Sequence, residues 1–202
     1  MNPPFIVLEG GEGSGKSTVA AALAARLREA GRDAVFTREP GGTVAGEMVR
    51  RLLHEPLVPW AEAFAFLVAR AQVVAEVIRP ALGRGAVVVC DRFSASTFAY
   101  QGHARGLDLS ALRAADAVAT GGLKPTLTIL LDIDPEVGLR RKLGEAEAIR
   151  TGLETLDFHR KVRAGYHAEM AAAPPGSWLL ADASRPSAEV EEELWEALGA
   201  YL

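Results

Sequence analysis

Near the amino terminus, Gly10-Gly11-Glu12-Gly13-Ser14-Gly15-Lys16-Ser17-Thr18 combines four glycines with a lysine and several hydroxyls in one short loop. The spacing satisfies Gly-x-x-x-x-Gly-Lys-(Ser/Thr), the pattern of a loop that binds polyphosphate. Glycines let successive backbone N–H groups turn inward toward phosphate oxygens, and the positive end of a following helix adds to the attraction. Lys16 would reach the β- and γ-phosphates, and the Ser17 hydroxyl would ligate Mg²⁺. The loop predicts binding of ATP or GTP and leaves open what the phosphate is used for.

Other charged residues follow apolar runs. Arg38 closes Ala34-Val35-Phe36-Thr37, and Asp91-Arg92 closes Ala86-Val87-Val88-Val89-Cys90. A carboxylate at Asp91 could order Mg²⁺-bound water, and a guanidinium at Arg92 could grip phosphate in a fork. A mutual Asp91–Arg92 ion pair is the structural alternative. Phe66 and Arg70 lie four residues apart, hence on one helix face, where a ring could stack on a base and a guanidinium could donate to its edge. Phe64, Phe66 and Leu67 could equally all be core.

These residues need a frame. Five short apolar runs, at residues 5–8, 34–36, 86–90, 127–131 and 178–180, are continuous rather than alternating, as strands covered on both faces require. Helical spacing separates them. Val19, Leu23 and Leu27 recur up to a stop at Gly31, and residues 62–82 form a long stretch with a kink or boundary expected at Pro80. Thr43 with Gly46-Glu47 starts a further helix. Val190, Leu194 and Leu198 stripe the last one after Arg185-Pro186-Ser187. The alternation predicts one α/β domain over residues 1–202, a doubly wound parallel sheet of about five strands flanked by helices, with a solvated or mobile helical excursion at 140–157. In such sheets ligands bind at the strand carboxyl ends, where Arg38, Asp91 and Arg92 fall.

Composition narrows the function. The 202 residues carry 22 basic and 26 acidic side chains, a formal net charge of −4, which argues against a nucleic-acid polymer as partner. Lys16, Lys124, Lys142 and Lys161 are the only lysines; the other basic residues are arginines. The single cysteine, Cys90, excludes an internal disulfide framework and suits a reducing cytoplasm. No apolar run approaches membrane-spanning length, and Met1-Asn2-Pro3-Pro4-Phe5 lacks the basic region of a signal peptide. The four histidines have no metal-ligand spacing. Cys90, Trp60, Trp178 and Trp195 read as packing residues.

The chain resembles bacterial thymidylate kinases from the first strand to the last helix. The matching stretches are Phe5-Ile6-Val7-Leu8-Glu9-Gly10 with its phosphate loop, Thr37-Arg38-Glu39-Pro40-Gly41-Gly42-Thr43, Asp91-Arg92-Phe93 through Ala99-Tyr100-Gln101-Gly102, and Leu131-Asp132-Ile133-Asp134-Pro135-Glu136-Val137-Gly138-Leu139. The resemblance implies a phosphate-loop fold, transfer of the γ-phosphate of ATP to dTMP, Mg²⁺ held by Ser17 and Asp91, and a homodimer. It implies that residues 10–18 and Lys16 hold ATP and that Arg38, Arg50 and Arg92 frame the acceptor phosphate. Phe66, Arg70, Thr97, Tyr100 and Gln101 would take the base and sugar, with Glu12 near the acceptor 3′-hydroxyl. Solvated positions for Glu12 and Arg50, and a core or interface position for Tyr100, are the alternatives.

Some family members carry an arginine inside the phosphate loop and others supply it from a lid; Gly11, Glu12, Gly13 and Ser14 leave this loop without one. The resemblance therefore places the catalytic arginine among Arg140, Arg141 and Arg150, with Arg150 the choice and Arg140 or Arg141 at the adenine. The stretch around Gly144, Glu145 and Ile149 departs from the family pattern, as does Phe93 after Asp91-Arg92. A kinase of another nucleoside monophosphate or of a deoxynucleoside, and a non-catalytic nucleotide-binding module, are the competing functions.

Overall fold

A computed structural model describes residues 3–143, 155–199 and 201. Its centre is a five-stranded sheet of β1 (Phe5–Gly10), β2 (Ala34–Arg38), β3 (Val87–Asp91), β4 (Leu127–Asp132) and β5 (Trp178–Asp182), in the order β2-β3-β1-β4-β5. All four pairings are parallel, with Ile6 opposite Val89 on one side and Leu127 on the other. The doubly wound sheet is the one expected from the apolar runs.

Those runs are continuous because the sheet is covered twice. Ile6, Leu8, Val87, Val89, Ile129 and Leu131 face α1 (Lys16–Glu29) and α9 (Ser187–Leu198), meeting Val19, Leu23, Leu27, Leu194 and Leu198. The alternate residues Phe5, Val7, Val88 and Cys90 turn the other way, against Val73, Val74, Ile78 and Phe93. Gly31 has φ +79°, a left-handed conformation that ends the α1 excursion where the sequence stops being helical.

On the second face lies the end of α3 (Pro59–Val73), and α2 (Val44–Leu52), capped by the Thr43 hydroxyl accepting from the Gly46 N–H at 2.9 Å, packs against α3. The stretch expected to run from 62 to 82 with a break at Pro80 has a different anatomy. A π-helical segment, Val74–Ile78, joins α3 to α4 (Arg79–Gly83), and Pro80 stands in the first turn of α4, where a missing N–H costs little. The irregularity therefore lies ahead of the proline. After β3 come α5 (Ser94–Thr97), a second π-helical segment Phe98–Ala104, and α6 (Leu109–Thr120). Helix α7 (Pro135–Leu143) follows β4, and α8 (Leu156–Ala171), capped by Thr155, precedes β5. The expected excursion at 140–157 thus begins inside α7 and ends inside α8, and its middle lies outside the described residues. Among the described residues no helix is long and apolar enough to cross a membrane.

Strand β1 meets β3 on one side and β4 on the other, so the chain reverses its direction of winding beside β1. The crevice this creates lies at the strand carboxyl ends, and the phosphate loop leaves β1 into it. Leu23, fully buried between the sheet and α9, tests the packing that holds this arrangement. Leu23→Ala is expected to cost about 2–5 kcal/mol of unfolding free energy in urea titration; a loss below about 1 kcal/mol would contradict the packing described.

Candidate active site

The phosphate loop starts α1 without a side-chain cap: Gly15, at φ +83°, is the capping residue and no hydroxyl or carboxylate covers the first N–H groups. They face the position a phosphate would take. Lys16 is buried inside the loop, its Nζ donating to the Gly11 carbonyl at 2.6 Å and the Ser14 hydroxyl at 3.1 Å. Burial, reinforced by the charge of Arg92, pushes the Lys16 ammonium down to about 7 against the pull of Glu12 and Asp91.

Ser17 donates a short hydrogen bond to Asp91 Oδ2, joining α1 to the end of β3. The other carboxylate oxygen, Asp91 Oδ1, is buried and has no hydrogen-bond partner among the described residues. A hydroxyl, a carboxylate and an unsatisfied oxygen beside a phosphate loop fit Mg²⁺, which binds through one or two protein oxygens together with waters and nucleotide phosphates. Among the described residues no group of three or more acidic, histidine or cysteine side chains could hold a metal by itself.

Asp91 and Arg92 do not pair with each other. Arg92 adopts φ +72°, the only positive φ at a non-glycine among the described residues, which turns its side chain back over the loop. Its Nη2 donates to Glu12 Oε1 at 2.9 Å and to the Tyr100 hydroxyl at 3.5 Å; Nη1 reaches the Ser96 and Tyr166 hydroxyls, both at 3.3 Å. The Tyr100 hydroxyl also donates to Glu12 Oε1, at 3.2 Å. Burial raises the Glu12 carboxyl, but the charges of Arg92, Lys16 and Lys142 outweigh it and hold the group well below the usual carboxylate range.

Behind Arg92 sits Glu9, fully buried at the end of β1. Its Oε1 accepts from the N–H groups of Phe93 (2.9 Å) and Ser96 (3.2 Å), and its Oε2 from the hydroxyls of Ser96 (2.6 Å) and Tyr166 (3.1 Å). Burial raises its pKa despite these bonds. Sequence reasoning missed Glu9, Ser96 and Tyr166; the signal for the first was a carboxylate within an otherwise apolar strand, Phe5-Ile6-Val7-Leu8-Glu9.

Arg70 is a hub, 1% exposed. Nε donates to Glu39 Oε2 at 2.8 Å, Nη1 to Thr97 Oγ1 at 3.0 Å and Asp116 Oδ1 at 2.8 Å, and Nη2 to the Phe93 carbonyl at 3.0 Å. Four of its five N–H groups are thus taken by described residues, leaving one on Nη2. Burial pushes the Glu39 carboxyl up to about 7, against Arg70. The peptide of Phe93 links the two clusters, its N–H on Glu9 and its carbonyl on Arg70.

The remaining predicted residues separate. Phe66 is half-buried and belongs to none of the apolar clusters, while Leu67 is buried and Phe64 is exposed, so only one of the three is core. Gln101 is buried and donates to Glu62 at 2.6 Å. Arg38 and Arg50 converge on Glu47 beside the Pro40–Gly42 turn, at 3.2 and 3.8 Å, and Arg50 also donates to the Pro40 carbonyl at 3.0 Å. Arg140 is exposed and paired with Glu136, whereas Arg141 donates to the carbonyls of Ala183 and Ser184 at 2.6 and 2.5 Å. Arg150 lies outside the described residues. A pairing the sequence did not suggest, Arg163 on α8 with Asp132 at the end of β4, borders the loop on its other side. Cys90 is buried, as its apolar run implied.

A doubly wound parallel sheet with this loop, a Ser17–Asp91 pair beside it and Arg92 held over it defines a phosphate-loop kinase of nucleotides. The thymidylate kinase family model matches residues 8–194. The thymidylate kinase of Deinococcus radiodurans is 49% identical over 197 residues, 96% of this chain and 95% of that one; the enzyme of Thermomicrobium roseum is 52% identical over 194 residues, 95% and 92%. The crystal structure of thymidylate kinase from Ehrlichia chaffeensis superposes with a TM-score of 0.81 at 29% identity, covering 98% of this chain and 100% of that one. The chain belongs to the thymidylate kinase family.

Two measurements test the electrostatics. Removing the Arg70 side chain strands the buried Glu39 and Asp116 carboxylates, so Arg70→Ala is expected to lower the unfolding free energy by about 3–5 kcal/mol; a loss under about 1 kcal/mol would place Arg70 outside any buried network. With burial pushing Lys16 down to about 7, a bound polyphosphate is expected to restore the proton the free protein gives up above that pH. Calorimetric titration with an ATP analogue, in buffers of different ionisation enthalpy, is expected to show proton uptake at pH 8 that fades below pH 6. Equal uptake at both pH values would contradict it.

Proposed function

We propose that this chain transfers the γ-phosphate of ATP to dTMP, giving ADP and dTDP; Ser17 and Asp91 would hold Mg²⁺, which would supply positive charge to the donor phosphates when bound. The observation that carries the reading is the arginine of left-handed backbone, Arg92, held directly across the phosphate loop by Glu12. Donor-side cation and acceptor-side cation then share one cleft. Lys16 and the loop N–H groups take the ATP end, beside the Ser17 and Asp91 oxygens that would hold Mg²⁺. Arg92, with Arg38 and Arg50 at the neighbouring turn, takes the phosphate of dTMP. The acceptor oxygen is already anionic, so no strong general base is required; positioning and neutralisation of charge carry the catalysis.

For the base we assign stacking to Phe66, whose ring is not consumed by the core, and an edge contact to the remaining N–H of Arg70, with Thr97 and Gln101 alongside. Tyr100 lies against the sugar and Glu12 near its 3′-hydroxyl. Arg141 beside Ala183 and Ser184 is assigned to the adenine, with Arg140 next to it, and Arg150 to the transferred phosphate. A single buried cysteine suits the cytoplasm as the location.

The homodimer proposed with this activity is supported by an apolar stripe on two neighbouring helices. Val44 (82% exposed), Met48 and Leu52 recur every four residues on α2, and Phe64 and Val68 do so on α3. Light scattering after gel filtration is expected to give twice the chain mass, and the double substitution Phe64→Glu, Val68→Glu to give the monomer; a monomeric wild type would overturn the dimer.

The activity itself is tested by coupling ADP release to each of dTMP, dUMP, dCMP and dAMP as acceptor. The highest kcat/KM is expected with dTMP, and turnover with dAMP or dCMP but not dTMP would overturn the assignment. Lys16→Ala and Arg92→Ala should each lower kcat at least about 100-fold, the scale of losing one group that stabilises developing charge.

A further inference from the structure

Helix α7 is pressed onto the phosphate loop at one point. A Cβ on Gly13 would sit 1.8 Å from the Gly138 carbonyl oxygen, and a Cβ on Gly138 would sit 2.2 Å from that of Glu12. Both positions therefore require glycine, and the contact is backbone against backbone. The start of α7 is fixed as well: Asp134 Oδ1 accepts from the Glu136 N–H at 2.9 Å and the Gly138 N–H bonds back to the Asp134 carbonyl at 2.9 Å. Four residues after Gly138, one turn along the same face, stands Lys142. Its Nζ donates to Glu12 Oε2 at 2.6 Å.

Glu12 is a charge problem for a phosphate loop. A carboxylate at its tip repels the polyphosphate that the loop exists to bind, and it offsets Lys16 inside the loop. Arg92 neutralises Glu12 through Oε1, yet Arg92 is also the guanidinium facing the acceptor phosphate and cannot serve both fully. Oε2 is left to Lys142, whose side chain is half exposed while that of Glu12 is mostly buried. Building on the kinase reading above, the structure assigns Lys142 as a positioning residue of the transfer site: it orients Glu12 through Oε2 and offsets its charge, so that Arg92 stays available to the incoming phosphate. A loop without its own arginine thereby gains a cation from α7, through the Gly13–Gly138 contact. Lys142 touches neither substrate; it acts through Glu12.

The test is steady-state kinetics at low ionic strength on the full chain, comparing wild type, Lys142→Ala, Lys142→Arg, Glu12→Gln and the Glu12→Gln, Lys142→Ala double variant. Lys142→Ala is expected to lower kcat/KM for ATP and for the acceptor each about three- to five-fold, mainly through KM and with an unchanged melting temperature; an exposed ion pair acting on a bound anion has this size. Lys142→Arg should restore both. In the Glu12→Gln background, where no charge remains to offset, Lys142→Ala should change kcat/KM by less than about 1.5-fold. An unchanged Lys142→Ala, a loss of equal size in the Glu12→Gln background, or failure of Lys142→Arg to restore the constants would each overturn the assignment. The ratios are taken with whichever acceptor the wild type turns over. A wild type inactive on dTMP would thus fail the acceptor reading alone, while the Lys142 ratios still decide this one.

Discussion

A single buried carboxylate sets the geometry on which the rest of the cleft depends. Glu9, the penultimate residue of β1, has no exposed surface, and a carboxylate there is tolerable only if its oxygens are fully bonded. They are, by two backbone N–H groups and two hydroxyls drawn from the turn after β3 and from α8. Those bonds oblige the chain to turn sharply just after Asp91, and Arg92 is the residue that takes the left-handed conformation, at an intrinsic cost of roughly 1–2 kcal/mol. In return its guanidinium is held over the loop before any phosphate arrives. Such preorganisation is what charge stabilisation during phosphoryl transfer requires.

The same turn ties donor and acceptor sides together. Phe93 gives its N–H to Glu9 and its carbonyl to Arg70, so the strand end that carries Asp91 toward the loop also anchors the buried network beneath the proposed base site. Helix α7 closes the other flank through the Gly13–Gly138 contact. The net charge of −4 is uninformative about this region. Lys16, Arg92 and Lys142 gather around one carboxylate, and acidic residues on the rest of the surface, such as Glu191, Glu192 and Glu193 on α9, restore the balance.

Much of this was legible in the sequence because its causes are local. Continuous apolar runs marked the five strands, since both faces of a parallel sheet are buried. The loop announced itself through residue types that only phosphate binding demands together. Gly31 and Thr43 marked a helix stop and start because φ and capping depend on one residue. What stayed hidden depends on partners distant in sequence. Glu9 meets Tyr166 across 157 positions and Arg70 meets Asp116 across 46, and no spacing rule connects either pair. That Arg70 shares a helix face with Phe66 was legible; its burial against Glu39 and Asp116 was not. The π-helical turn before Pro80 was likewise invisible, since proline signals a boundary but not the widening of the turn ahead of it.

If its turn holds Arg92 ready for the acceptor phosphate, the same geometry must survive in the ternary complex. A crystal structure of the chain with dTMP and a non-hydrolysable ATP analogue tests it most directly. In that complex Arg92 is expected to keep a left-handed φ near +72°, with the Glu9 bonds to Phe93 and Ser96 intact and the Arg92 guanidinium on the dTMP phosphate. An Arg92 relaxed to negative φ, or a dTMP phosphate bound elsewhere with Arg92 still on Glu12, would contradict it.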